Sequence, residues 1–130
     1  MEDIDNNLTQ LVFDYLSSNG YKIEDWSNEA IFVRYQMSLI GIYFSENDPN
    51  FIQVTLQGFA EINEDNFTEM CKACNKVNQT RKVVKAYVLD DSITLSYEFY
   101  YNNEENLYKQ ISDSLEYIKV AKAYFHRITL

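Results

Sequence analysis

The sequence predicts an α+β domain in two layers, with a largely antiparallel sheet of about five strands and helices over one face. Apolar residues recur every three or four positions in three segments, which is typical of amphipathic helices, and they alternate with polar residues in strand-like segments between them. Most strand segments are joined by short polar turns, which favours antiparallel pairing. The predicted order along the chain is α-β-β-β-α-β-β-α.

The first half of the chain contains one predicted helix and three predicted strands. The helix covers residues 5–19, where leucine and valine recur at helical spacing, and Gly20 follows its end. The stretch YKIEDWS is extended, and strands are then predicted at 30–37, 39–45 and 51–59. The sequence NDPN between the last two strands predicts a tight turn, because proline sets φ and the Asn and Asp side chains bond nearby backbone groups.

The second half begins with a helix predicted from Asn63 to about Arg81 and continues with a hairpin and a final helix. An apolar stripe is expected on the first of these helices, formed by Phe67, Met70, Cys71, Cys74 and Val77. The hairpin joins strands 83–89 and 93–101. Asn102 and Glu105 have the spacing of a capping box before the final helix. Its apolar stripe is Leu107, Ile111, Leu115, Ile118, Ala121, Phe125 and Ile128.

Length and charge limit the classes of partner. The 130 residues fit a single domain, 1–130, and the net charge of −9 repels nucleic acid and anionic membranes. The basic residues look scattered, and their densest cluster, Arg81, Lys82 and Lys85, is too small for a nucleic-acid footprint. The N-terminus has no apolar signal segment, so we expect a cytoplasmic protein.

The only two cysteines have the spacing Cys-x-x-Cys, which is shared by redox motifs and half zinc sites. Cys71 lies about two turns inside its predicted helix, whereas a thioredoxin-like cysteine lies at a helix N-terminus. A zinc ion needs about four ligands, and His126 is the only histidine. We therefore expect buried, reduced thiols and no metal, while a redox or metal-responsive switch using Cys71 and Cys74 is the alternative.

The sequence carries no catalytic motif. With only three glycines, the chain has no glycine-rich phosphate-binding loop and no G-x-S-x-G serine elbow. The paired acidic residues fall at predicted turns and helix starts. His126, at the end of the last helix, suits a position near the helix C-terminus better than acid–base chemistry. We assign no catalytic residue and no cofactor, and we expect a protein that is not an enzyme.

Aromatic residues make up 15% of the chain, and four of them are expected together on one face of the sheet. If the aliphatic set of each strand faces the helices, then the opposite face carries Phe32, Tyr43, Tyr87 and Tyr100 among polar residues. Tyr and Phe are enriched in protein interfaces, so this is the candidate partner surface, for a second copy or an extended segment. The alternative is a set of cross-strand pairs that stabilises a solvated sheet.

Several short stretches resemble a known family. They are Asn19-Gly20-Tyr21, NDPNFIQVTL (47–56), CNKVN (74–78), KAYVLDD (85–91) and the start of the last helix, NEENL. Over about residues 8–125 the sequence is similar to the YbjN-type domain family of bacterial sensory transduction regulators, whose fold is similar to type III secretion chaperones. The resemblance implies a small, often dimeric, non-enzymatic domain that binds other proteins. We expect a homodimer that contacts its partner through the sheet face and edges in a chaperone-like or regulatory role.

Overall fold

The computed structural model describes residues 4–130, with side chains from residue 8 onward. It contains three helices within this range, α1 (Ile4–Ser18), α2 (Phe67–Thr80) and α3 (Glu104–Ile128). The strands are β1 (Lys22–Trp26), β2 (Ala30–Tyr35), β3 (Ser38–Phe44), β4 (Phe51–Glu61), β5 (Val84–Leu89) and β6 (Ser92–Tyr100). The predicted α+β class is confirmed, with six strands instead of about five.

The additional strand is β1, which the sequence indicated only as a short extended stretch. It pairs with β2 at the edge of the sheet, and its register shifts between Ile23 and Asp25. This irregularity interrupts the alternation of inward and outward side chains, and most of the strand is exposed. A strand without a buried alternating set lacks the pattern by which strands are recognised in a sequence.

The six strands form one antiparallel sheet in the order β1-β2-β3-β4-β6-β5. The first four strands are consecutive neighbours, and α2 then carries the chain across to β5, so that β6 returns between β4 and β5. The β2–β3 turn has two residues, Gln36 and Met37, both with positive φ. Two positive φ values in a two-residue hairpin loop match a type I′ turn, whose twist suits antiparallel strands.

The three helices lie on one face of the sheet and share a single core with it. The buried side chains of α3 meet the inward residues of the central strands, such as Ile42, Val54 and Leu95, and α1 and α2 contribute to the same cluster. The aliphatic sets expected to face the helices are the buried ones on β2, β3, β4 and β6. On β5, Val84 and Ala86 are also buried, whereas Val88 near the end of the strand is 37% exposed.

Two details of the helices differ from the sequence-based expectation. Residues 64–66 form a turn instead of the first turn of α2, because Asn63 and Asn66 each accept a backbone N–H from the other at 3.0 and 2.8 Å. At α3 the capping residue is Asn103, not Asn102, and its side chain accepts the N–H of Asn106 at 2.8 Å. Asparagine is a preferred N-cap residue in either case.

Along residues 4–130, no helix combines the length and the hydropathy that crossing a membrane requires.

Candidate functional site

The sheet face that points away from the helices carries one row of residues across five strands. Neighbouring positions in the register place Phe32 beside Gly41, Gly41 beside Thr55, Thr55 beside Ser96, and Ser96 beside Lys85. The middle of this row is therefore built from glycine and small hydroxyl residues. We call this surface the outer face; it also carries Tyr43, Tyr87 and Tyr100, as the sequence predicted.

Tyr43 folds along its own strand and covers Gly41. A Cβ atom added to Gly41 would lie 2.7 Å from a ring carbon of Tyr43 and 2.8 Å from its hydroxyl oxygen. Phe32 contacts the Tyr43 ring edge-on, with ring centroids 5.8 Å apart and an interplanar angle of 90°. Burial raises the pKa of the Tyr43 hydroxyl. Glycine in the middle of a strand thus permits the Tyr43 ring to pack directly on the backbone.

Polar contacts hold the other half of the outer face. The hydroxyls of Tyr87 and Ser96 are 2.7 Å apart, and Glu98 accepts a hydrogen bond from Gln53 at 2.9 Å while pairing with Lys85 at 3.1 Å. These contacts link β4, β5 and β6 through side chains. Because the groups already have partners, they fix the aromatic and charged side chains in place on the surface.

Tyr100 stands apart from the other three aromatic residues, at one end of the outer face. It is 61% exposed, its ring lies 5.3 Å from that of Phe51, and its hydroxyl donates to Asp48 at 3.1 Å. The hydrogen bond to Asp48 is the main cause of its raised pKa. The structure therefore brings Phe32 and Tyr43 into contact and leaves Tyr87 and Tyr100 as separate aromatic positions.

Small hydroxyl residues on the outer face are buried although no helix covers them. Thr94 is 0% exposed, Ser96 1% and Thr55 7%, and the hydroxyl oxygens of Thr55 and Thr94 have no hydrogen-bond partner. A buried hydroxyl without a partner costs about 1–3 kcal/mol. The large side chains around them thus form a partial second layer over the centre of the face. Gly41 and Thr55 were not among the predicted site residues, and the lone glycine within a strand pattern was the available signal.

Both sheet edges are partly closed by side chains. At the β5 edge, the Asn78 amide accepts the Ala86 backbone N–H at 2.8 Å and donates to the Ala86 carbonyl at 3.1 Å. At the β1 edge, the Asp25 carboxylate accepts the backbone N–H of Trp26 at 2.9 Å. Side chains that occupy free edge groups discourage the addition of another strand.

The two cysteines differ in environment. Cys74 is 6% exposed in the core, whereas Cys71 is half-buried, so the expectation of two buried thiols is met by one of them. Both are free thiols. Burial, with a smaller contribution from Cys71, raises the pKa of Cys74 to about 11. Because the thiolate is the reactive and metal-binding form, this environment weakens the case for a redox or metal switch. Among the residues described, no three His, Cys, Asp or Glu side chains are grouped as a metal site requires.

Alkylation rates test this difference. In a Cys71→Ser variant, we expect Cys74 to react with iodoacetamide at pH 8 roughly a hundredfold more slowly than an ordinary thiol, because its pKa is raised from 9.0 to about 11. Its rate should continue to rise up to about pH 11. The matched variant Cys74→Ser reports Cys71, which we expect to react faster. Equal rates in the two variants, followed by mass spectrometry, would contradict the buried position of Cys74.

Comparisons with known proteins give a family and a solved structure of similar fold. The sequence model of the YbjN family, described as "Putative bacterial sensory transduction regulator", matches residues 9–124. The crystal structure of YbjN from E. coli, described as "a putative transcription regulator", superposes with a TM-score of 0.69 at 15% identity, covering 91% of this chain and 92% of that one. A search of curated proteins finds no match. Because the family model matches most of the chain, the chain belongs to the YbjN family.

Proposed function

We propose that this chain is a non-enzymatic regulatory domain that binds protein through the outer face of its sheet. The observation that carries the proposal is the sheet face that no helix covers, on which Tyr43 packs over Gly41 and against Phe32 while Tyr87 and Tyr100 hold separate aromatic positions. Aromatic side chains held rigidly on a surface offer large contact area at little cost in conformational entropy. The family description as a regulator is compatible with this role.

The face is favoured over the edges as the contact surface. Asn78 at the β5 edge and Asp25 at the β1 edge already occupy backbone groups that an added strand would need. On the outer face, by contrast, the Tyr100 ring is 61% exposed and open to contact. We propose a homodimer as the first such contact, with another regulated protein as the further partner.

Sedimentation velocity tests this proposal. The wild-type protein is expected to be a dimer, and the double variant Phe32→Glu/Tyr100→Glu is expected to be a monomer with an unchanged circular dichroism spectrum. The control is Phe67→Glu, a charge placed at an exposed aromatic residue on α2, which should remain dimeric.

The same variants extend the test to other partners. If the wild type is monomeric, each variant can be immobilised and tested for the proteins that it retains. Proteins that bind the wild type and the Phe67→Glu control but not the double variant would still support the outer face as the contact surface. The proposal would be overturned if the wild type is strictly monomeric and the double variant still retains every protein that the wild type retains.

A further inference from the structure

The charges of this chain are separated along the sequence in a way that the net charge conceals. Residues 70–89 and 117–130 contain eight of the eleven Lys and Arg residues and none of the twenty Asp and Glu residues. The remainder of the chain therefore has three basic residues against twenty acidic ones. Basic residues that looked scattered in the sequence thus belong to two segments without carboxylates.

The fold brings these two segments together. Helix α2 packs beside α3, and the Arg81 guanidinium carbon lies 4.7 Å from the ring centroid of Tyr124, whose ring is also 5.2 Å from the guanidinium carbon of Arg127. Two cations therefore share one aromatic ring. The Nε of Arg81 is buried and has no hydrogen-bond partner. An anion placed here would relieve the repulsion between the two arginines.

Most cations of this region have no acidic partner. Lys72, Lys76, Arg81, Lys82 and Arg127 form no ion pair with the side chains described from residue 8 onward. By contrast, the three basic residues outside the two segments, Lys22, Arg34 and Lys109, each pair with a carboxylate. The unpaired charge is therefore concentrated on the helix layer, opposite the outer face.

A groove between the end of α2 and α3 runs through this basic region. Its lining includes Arg81 and Lys82 together with Tyr117 and Val120, which are 39% and 38% exposed. Tyr117 and Val120, three residues apart on α3, form an apolar stripe beside the groove, and Tyr124 on the next turn of the same helix lies under Arg81 and Arg127. The carboxylate in the groove, Glu116, already pairs with Lys119 at 3.2 Å and accepts the Tyr35 hydroxyl at 3.0 Å.

We propose that this groove binds an acidic amphipathic segment of a partner protein, with its apolar side chains on the stripe of α3 and its carboxylates against Lys76, Arg81 and Lys82. In helix-in-groove recognition an amphipathic helix lays its apolar face on an exposed apolar surface, which Tyr117 and Val120 supply here. A short segment is favoured over nucleic acid because a long polyanion would also meet the strongly acidic remainder of the surface.

Fluorescence anisotropy tests the groove with an 18-residue labelled peptide that carries Leu and Phe at i, i+3, i+4 and i+7 and Glu between them. We expect saturable binding that weakens as salt is raised, and little binding of the same peptide with Gln in place of Glu. The variant Lys76→Gln/Lys82→Gln is expected to weaken binding about tenfold, because two exposed charge contacts are lost. The control Lys22→Gln/Lys109→Gln removes the same charge elsewhere and should change affinity less than twofold.

The outcomes separate this proposal from that for the outer face. The Phe32→Glu/Tyr100→Glu variant should bind the peptide as the wild type does, whether or not the outer face mediates assembly. Three results would each overturn the proposal that the groove binds an acidic segment. They are peptide binding that does not saturate, equal losses of affinity in the two double-lysine variants, and tighter binding of a single-stranded oligonucleotide of equal charge.

Discussion

Replacing Phe125 with Ala is expected to lower the free energy of unfolding by about 3–5 kcal/mol. The Phe125 side chain is completely buried in α3 and contacts Phe59 edge-on, with centroids 5.2 Å apart and an interplanar angle of 78°. Its removal would leave a cavity between the end of α3 and β4. Domains of this size are stable by roughly 5–15 kcal/mol, so the loss should be a large part of the total. Urea unfolding followed by circular dichroism measures it.

The matched control is Phe67→Ala, which removes the same side chain from the first residue of α2. Phe67 is 49% exposed, so the expected change is within about 0.5 kcal/mol. Both phenylalanines belonged to predicted apolar stripes, and only the structure separates them. A loss at Phe67 as large as that at Phe125 would mean that α2 packs through the stripe the sequence indicated.

The long helix α3 shows what the sequence could predict. Six of the seven residues in its expected apolar stripe are buried, from Leu107 to Phe125, because the helix lies on the sheet over most of its length. Only the seventh, Ile128, is partly exposed, at the last turn of the helix. Periodicity is reliable where one face of a long helix stays in contact with the core.

Helix α2 shows where the same reasoning fails. The buried residues are Ala73, Cys74 and Val77, whereas Phe67 and Cys71 of the expected stripe are exposed and half-buried. Because Asn63 and Asn66 hold residues 64–66 in a turn, the helix begins later than predicted, at Phe67. Ala73 occupies a core position that a search for large apolar residues overlooks. With buried residues in only one turn, α2 has too few buried positions for the sequence pattern to predict which side faces the core.

The outer face was predicted in its composition and not in its arrangement. Alternation along the strands placed Phe32, Tyr43, Tyr87 and Tyr100 on one side of the sheet. It could not show that Tyr43 lies over Gly41, because that contact depends on the rotamer of one ring, or that Phe32 and Gly41 are register neighbours. The basic groove was missed for a related reason: Arg81 and Arg127 are far apart in the sequence and meet at Tyr124.

Replacing Asn78 with Ala is expected to destabilise the protein by about 1–3 kcal/mol and to promote self-association. The Asn78 amide satisfies both the N–H and the carbonyl of Ala86 on β5, which is the last strand at this edge of the sheet. Without the amide, these groups would lie free beside the exposed side chains of Val88 and Leu89. An apolar edge strand with free backbone groups pairs readily with another chain. Urea unfolding and sedimentation velocity at several concentrations measure the two effects.

Two further substitutions separate the edge contact from a general effect on α2. Asn75→Ala makes the same change at an exposed residue of the helix, whose side chain has no hydrogen bond among those described. This variant should be slightly more stable than the wild type, because alanine has a higher helix propensity than asparagine. Asn78→Asp keeps an acceptor for the Ala86 N–H and loses the donor to its carbonyl, and we expect its stability to lie between wild type and Asn78→Ala. If Asn78→Ala matches Asn75→Ala in stability and keeps the assembly state of the wild type, the amide does not protect this edge. If instead it forms larger assemblies as its stability falls, strand addition at β5 is what Asn78 prevents, and the outer face is left as the surface for specific contact.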